Sequence, residues 1–203
     1  VVLTHAHNDH LSGLIPVLTQ CSVGELWIGG VPATPLMREL LEVAKRRGVQ
    51  VRVVRRGEFY SMGTAKVEIL WAGRDFATQT EANDNDGVVM GIRYKESAIM
   101  LMADLGSAME AQLDFLESVA AKSIVLKVAH HGSKTGTGEK MLDVVKPRFA
   151  IISVASPSPF GHPSPEVLNR LARHRVFVYQ TGIDGAIEAI SGGRSWTVEQ
   201  MTR

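Results

Sequence analysis

Apolar residues along the chain fall into short runs whose spacing switches between the two periods of regular structure. Val1, Val2 and Leu3 read as the end of a buried strand. Leu11, Leu14, Ile15 and Leu18 recur at i, i+3, i+4 and i+7, which predicts a short amphipathic helix. Thr34-Pro35 then supplies an N-cap and a first-turn proline, Lys45, Arg46 and Arg47 suit a last turn, and Gly48 follows; together they bracket a helix of about three turns. Residues 49–54 alternate as a strand.

Residues 67–71, 88–94 and 98–102 read as further strands, the last two joined by a tight turn at Lys95-Glu96. Ser107 with Glu110 predicts a capping box, and Leu113, Leu116 and Val119 form one face of the helix it would start. An apolar strand at 124–128 runs to His130-His131, residues 137–146 suit a helix halted by Pro147, and 149–154 suit a strand. Ser164-Pro165 opens a capped helix that closes near 173–175, and 176–179, 186–190 and 196–198 complete the strands. Hairpins in the middle and βα alternation later predict a mixed α/β fold, with mixed sheets covered by helices, in one domain spanning 1–203.

Composition narrows the chemistry. A chain that is 45% hydrophobic and 21% charged suits a globular domain. No apolar run approaches the roughly 18–20 residues of a membrane span, and no signal-peptide pattern opens the chain. With 22 Lys+Arg against 21 Asp+Glu, net charge selects no partner. A single cysteine, Cys21, excludes an internal disulfide framework and a cysteine-rich zinc site, so metal chemistry must rest on His and carboxylates. The chain opens on a strand without Met, which predicts residues ahead of Val1 in the natural protein.

The strongest chemical signal is Thr4-His5-Ala6-His7-Asn8-Asp9-His10. On an extended segment, His5 and His7 point to one side and can share a cation, while Asp9 and His10 beyond the bend reach a second. Asp104 follows one apolar strand and His130-His131 another, so three strand ends carry ligand-type residues. His162 sits between Gly161 and Pro163 on a loop and suits a substrate or ligand role; Ser133, Lys134 and Thr135 offer donors to a phosphate. His174 lies at a predicted helix end, where the macrodipole explains it. The basic stretches 45–47 and 52–56 are candidates for tracking a nucleic-acid backbone.

The motif His5-x-His7-x-Asp9-His10 resembles the signature of the metallo-β-lactamase superfamily. Within it, Asn83-Asp84-Asn85-Asp86-Gly87, Ala103-Asp104, residues 126–135, residues 146–153 and the Phe160-Gly161-His162-Pro163-Ser164-Pro165 segment are similar, in order, to the C-terminal domain of ComEC competence proteins. The resemblance implies an αββα sandwich lacking its opening strands, and a soluble domain on the extracytoplasmic side of a bacterial membrane. It also implies two divalent ions, manganese or zinc, and hydrolysis of DNA, single-stranded or being unwound, so that the strand not imported during transformation is degraded. The membrane-channel portion of the parent polypeptide would be the partner, and the isolated domain a monomer.

On that resemblance His5 and His7 hold one metal, Asp9 and His10 the other, Asp104 bridges them and His130 completes a coordination sphere, with His131 the alternative ligand. Asp9 would orient the attacking water, and His131 or His162 would contact the phosphate or protonate the leaving oxygen. ComEC proteins usually carry Asp where this chain has His7, and Thr-Gly-Asp where it has Met102-Ala103-Asp104. The usual Asn before the Gly-His-Pro segment is missing from residues 156–159. Two other readings remain open: a hydrolase of another phosphoester, a thioester or a lactam, and a non-catalytic module that guides DNA.

Overall fold

The computed structural model describes residues 1–30, 32–73, 83–113 and 120–201. Two compact units divide the chain, Val1–Glu58 with Ile69–Val89, and Phe59–Glu68 with Met90–Arg203.

The first unit is built on three short parallel strands in the order β1 (Val2–Leu3), β2 (Glu25–Ile28), β3 (Gln50–Val53). Between them run helices α1 (Asn8–Leu11), α2 (Leu14–Gln20) and α3 (Pro35–Arg46). The predicted helix after the His cluster is thus two pieces, with a break at Ser12-Gly13, and it still buries Leu11 and Leu18. The side chain of Thr34 accepts the Met37 N–H at 3.2 Å and caps α3 as expected. At its other end Gly48, with φ +68, lets Val49 N–H reach Ala44 O and its own N–H reach Lys45 O, a Schellman closure. Met37, Leu40, Val43 and Ala44 face a core shared with Leu3, Leu11, Leu18, Leu26 and Ile28. Strand β3 is the sheet edge, and its alternation buries no face: Val51 and Val53 are exposed.

A seven-stranded sheet has the order β10-β9-β8-β7-β6-β5-β4, and the unit boundary falls inside β5 and β6. Its strands are β4 (Phe59–Met62), β5 (Ala65–Ala72), β6 (Val88–Tyr94), β7 (Ser97–Leu101), β8 (Ser123–Lys127), β9 (Phe149–Ile152) and β10 (Phe177–Gln180). The β6–β7 hairpin turns at Lys95-Glu96 as predicted, with Lys95 at φ 54. From β7 to β10 the pairing is parallel. In the second unit lie helices α4 (Ser107–Glu110), α5 (Glu139–Val145), α6 (Pro165–Arg173) and α7 (Thr181–Asp184). A separate hairpin of β11 (Ile187–Ser191) and β12 (Trp196–Gln200) packs Val198, Ile187, Ala189 and Trp196 against Val125, Phe149 and Ile151.

One expectation is corrected. Ser107 and Glu110 do not form a capping box: Gly106 is the N-cap of α4, and no side chain caps it. Glu110 is buried and turns away to accept the N–H groups of Thr137 at 2.9 Å and Gly138 at 2.7 Å. Those two donors lie in a left-handed turn, with Thr137 at φ 53, where no helix or strand partner is available. The same turn delays α5 to Glu139, later than the pattern suggested. Leu113 is buried, whereas Leu116 and Val119 lie outside the described residues.

Candidate metal centre

In the first unit the chain leaves β1 extended, and Thr4 O accepts the Val88 N–H at 2.8 Å. His5 follows, buried, and His7 is the extended N-cap of α1, so the two imidazoles fall on one side. His5 Nε2 lies 3.0 Å from His7 Nδ1, and His7 Nδ1 lies 3.1 Å from Asp84 Oδ1. Ligands on bonds of 2.0–2.1 Å around a tetrahedral ion sit about 3.3 Å apart, so these three atoms suit one cation. Asp84 heads the 3-10 turn Asp84–Asp86, capped by Asn83, whose side chain accepts the Asn85 N–H at 2.9 Å.

Thr4 adds an outer layer. Its hydroxyl lies 3.1 Å from His10 Nδ1 and 3.3 Å from His5 Nδ1. An oxygen that accepts both N–H groups leaves the two Nε2 lone pairs pointing outward, the tautomer a metal requires. The His5 and His10 rings stand 4.1 Å apart, and Asp9 Oδ2 lies 3.5 Å from His10 Nε2 with most of its side chain in solvent. A small cleft beside His5 is lined by Thr4, Ala6, Gly29, Gly30, Asn83 and Asp86. Gly29 is required there, since a Cβ would sit 2.9 Å from Val88 Cγ2 and 3.2 Å from Ala72 O.

In the second unit three successive parallel strands run out to polar groups: β7 to Asp104, β8 to His130-His131 and β9 to the loop bearing His162. Crevices beyond the carboxyl ends of parallel strands are where ligands bind in such sheets. Asp104 is buried, with Oδ2 3.7 Å from His131 Nε2 and 3.9 Å from His130 Nε2. Backbone conformation sets this convergence: Ala103, His130, His131 and Gly132 all take positive φ, and His130 N–H bonds Ala103 O at 3.0 Å. Left-handed conformations at two adjacent non-glycine residues are costly and persist where the surroundings impose them.

His131 Nδ1 lies 2.8 Å from Ser153 O and donates to it, which directs Nε2 toward Asp104. Lys127 is largely buried with Nζ on Val128 O; burial pushes its ammonium down, and the Asp104 charge partly opposes this. The His162 imidazole is also held below its ordinary value, first by burial and then by His130 and His131. Its ring stands 5.9 Å from that of His130, and its buried Nδ1 has no hydrogen-bond partner among the described residues. Ser133 is buried with its hydroxyl 2.9 Å from that of Thr135, which leaves Lys134 as the exposed cation of that loop.

The loop that follows is pinned from several sides. Besides the Glu110 carboxylate, Arg170 donates to Lys134 O and Gly136 O, and Thr137 Oγ1 accepts the Ala129 N–H at 3.2 Å. His174 Nε2 reaches Glu139 Oε2 at 2.7 Å, so this helix-end residue ties α6 to α5. Of the basic stretches, Arg47 donates to Leu18 O, and Arg52 pairs with Glu25 at 2.8 Å, holding the Glu25 carboxyl below its usual range. From sequence Thr4 and Lys127 carry no role, Glu110 reads only as half of a capping box, and Asp84 stands out only within the Asn-Asp-Asn-Asp-Gly run.

No family model matches the chain. It is 30% identical over 190 residues to ComE operon protein 3 of Bacillus subtilis, covering 93% of the chain and 24% of that protein. It is 26% identical to Recombination protein 2 of Haemophilus influenzae, covering 92% of the chain and 21% of that protein. The chain thus spans about a quarter or less of the length of these relatives. Among solved structures it resembles CmlA, a diiron β-hydroxylase from Streptomyces venezuelae, with TM-score 0.52 and 14% identity over 98% of the chain and 44% of that one. Over the part of them that it spans, the chain is a homologue of ComE operon protein 3 and Recombination protein 2, and it has the metallo-β-lactamase fold.

Proposed function

We propose that the chain is a metal-dependent phosphodiesterase acting on DNA, and that in a competence protein it degrades the strand that is not imported. One observation carries the reading: Asp104 and His130-His131 follow the carboxyl ends of adjacent parallel strands, with His162 on the loop after the next, in a homologue of DNA-uptake proteins. We assign His5, His7, Asp9 and His10, with Asp84, as ligands in the first unit and Asp104 and His130 as ligands in the second, with manganese or zinc as the ions. When bound, such a pair of ions polarises the phosphoryl oxygens and supplies a nucleophile from water near neutral pH.

The chain's own residues do the rest. Asp9, largely in solvent, orients the attacking water. His131, fixed through Nδ1 on Ser153 O, offers Nε2 to a phosphate oxygen or to the leaving oxygen. His162, whose neutral form is favoured, hydrogen-bonds the phosphate, and Ser133, Lys134 and Thr135 approach its outer oxygens. No helix among the described residues is long and apolar enough to cross a membrane. The membrane-channel portion of the parent polypeptide supplies that attachment, with this domain on the extracytoplasmic side.

The test is cleavage of 5′-labelled single- and double-stranded DNA by the chain, metal-stripped and then reconstituted with manganese or zinc, beside Asp104→Ala. Metal-dependent cutting that disappears in the variant supports the reading. Intact DNA in the presence of bound metal would assign the site to another ester.

A further inference from the structure

The turn that presents His162 also presents Phe160, and the two rings lie 6.2 Å apart with their planes 32° from parallel. Phe160 is 80% exposed, the most of any large hydrophobic residue described. Its position does not come from a slack loop. The Ser158 hydroxyl accepts the N–H groups of both Phe160 and His162 at 3.3 Å, and Ser158 O accepts that of Gly161 at 3.2 Å. Gly161, at φ +69 with open space around its Cβ position, permits the reversal. A hydrogen-bonded turn therefore holds an aromatic face in water.

The rings continue inward: the His162 ring stands 5.9 Å from that of His130, whose Nε2 lies 3.9 Å from Asp104. From solvent to carboxylate the order is Phe160, His162, His130, Asp104. Beside Phe160 in sequence lie Ser158, Pro159 and Gly161, so Phe160 supplies the one phenyl ring of this turn. One ring matches one planar heterocycle.

We infer that Phe160 is a stacking platform for a single nucleobase of a single-stranded nucleic acid, the one whose phosphate enters the Asp104–His130 site. The inference rests on the phosphodiesterase reading and adds its strand preference. A base inside a duplex has no free face for Phe160, whereas any unpaired base has one whatever its identity.

The experiment is a cycle of Phe160→Ala and Phe160→Trp against two ligands, oligothymidylate and an abasic sugar-phosphate oligomer of equal length. Binding is read by fluorescence anisotropy in Ca2+ and in EDTA, beside manganese-dependent cleavage. Phe160→Ala should weaken oligothymidylate binding about tenfold, Phe160→Trp should keep it, and the abasic oligomer should not distinguish the three proteins. Equal binding of oligothymidylate by wild type and Phe160→Ala, or an equal loss on the abasic oligomer, overturns the platform even if cleavage persists. Base-dependent binding lost in Phe160→Ala without cleavage by any protein overturns the hydrolytic reading and leaves the platform standing. Absence of oligonucleotide binding in either condition overturns both.

Discussion

His5 Nε2 and His7 Nδ1 lie 3.0 Å apart, and the second of these atoms is 3.1 Å from Asp84 Oδ1. Three donor atoms from two distant stretches of chain thus meet at one point. If they share a cation, Asp84→Ala should lower metal affinity by at least the 10–100-fold typical of lost outer-sphere support, because here a direct ligand is removed. Isothermal titration with zinc on the metal-stripped chain measures it. Unchanged affinity would reduce Asp84 to a hydrogen-bond partner of His7.

The Thr4 hydroxyl, between His10 Nδ1 and His5 Nδ1, orients two imidazoles at once. Thr4→Val keeps the shape and removes the acceptor, so metal affinity should fall by roughly 10–100-fold while far-UV circular dichroism stays unchanged. Thr4→Ser should restore it. Failure of Ser to rescue would show that shape, and not the hydroxyl, matters at this position.

Local chemistry was the legible part of this chain. Thr34-Pro35 and Ser164-Pro165 start helices because a hydroxyl reaches an N–H three residues on, and no other part of the molecule is needed. Ser107 and Glu110 carry the same local code, yet the Glu110 carboxylate is taken by two N–H groups in a turn far along the chain. Strands β2 and β4 went unread: both are four residues long, and β4 is an exposed edge with no buried face to give a period. The His cluster was legible because its members are contiguous. Asp84 was not, since what brings it to His7 is the bond of Val88 N–H to Thr4 O, a tertiary pairing with no sequence period.

Gly132, next to the His pair, has φ +82, and a Cβ there would fall 2.6 Å from Pro163 Cβ. Gly132→Ala should cost about 1–2 kcal/mol for the left-handed conformation and a further 1–3 kcal/mol for the overlap. Gly161 shares the conformation but faces open space, so Gly161→Ala should cost only the first part. Urea unfolding of the two variants separates the contributions. Equal losses would mean that the loop around Pro163 yields freely.

Glu110 sets a pH dependence whose sign follows from its burial. Burial raises its carboxyl above the ordinary 4.5, and the N–H groups of Gly138 and Thr137 oppose the shift without cancelling it. The folded state therefore binds the proton more tightly than the unfolded state does. The associated stability is fully present below 4.5 and is lost as pH rises through the higher folded-state value. Glu110→Gln removes the titration, but its amide oxygen can serve the two donors only at the expense of placing an NH2 against one of them, which costs about 1–3 kcal/mol. Urea unfolding of both proteins across this range should show their stability difference narrowing as pH rises. A difference that widened would mean that the two backbone N–H groups outweigh burial, placing the carboxyl below its ordinary value.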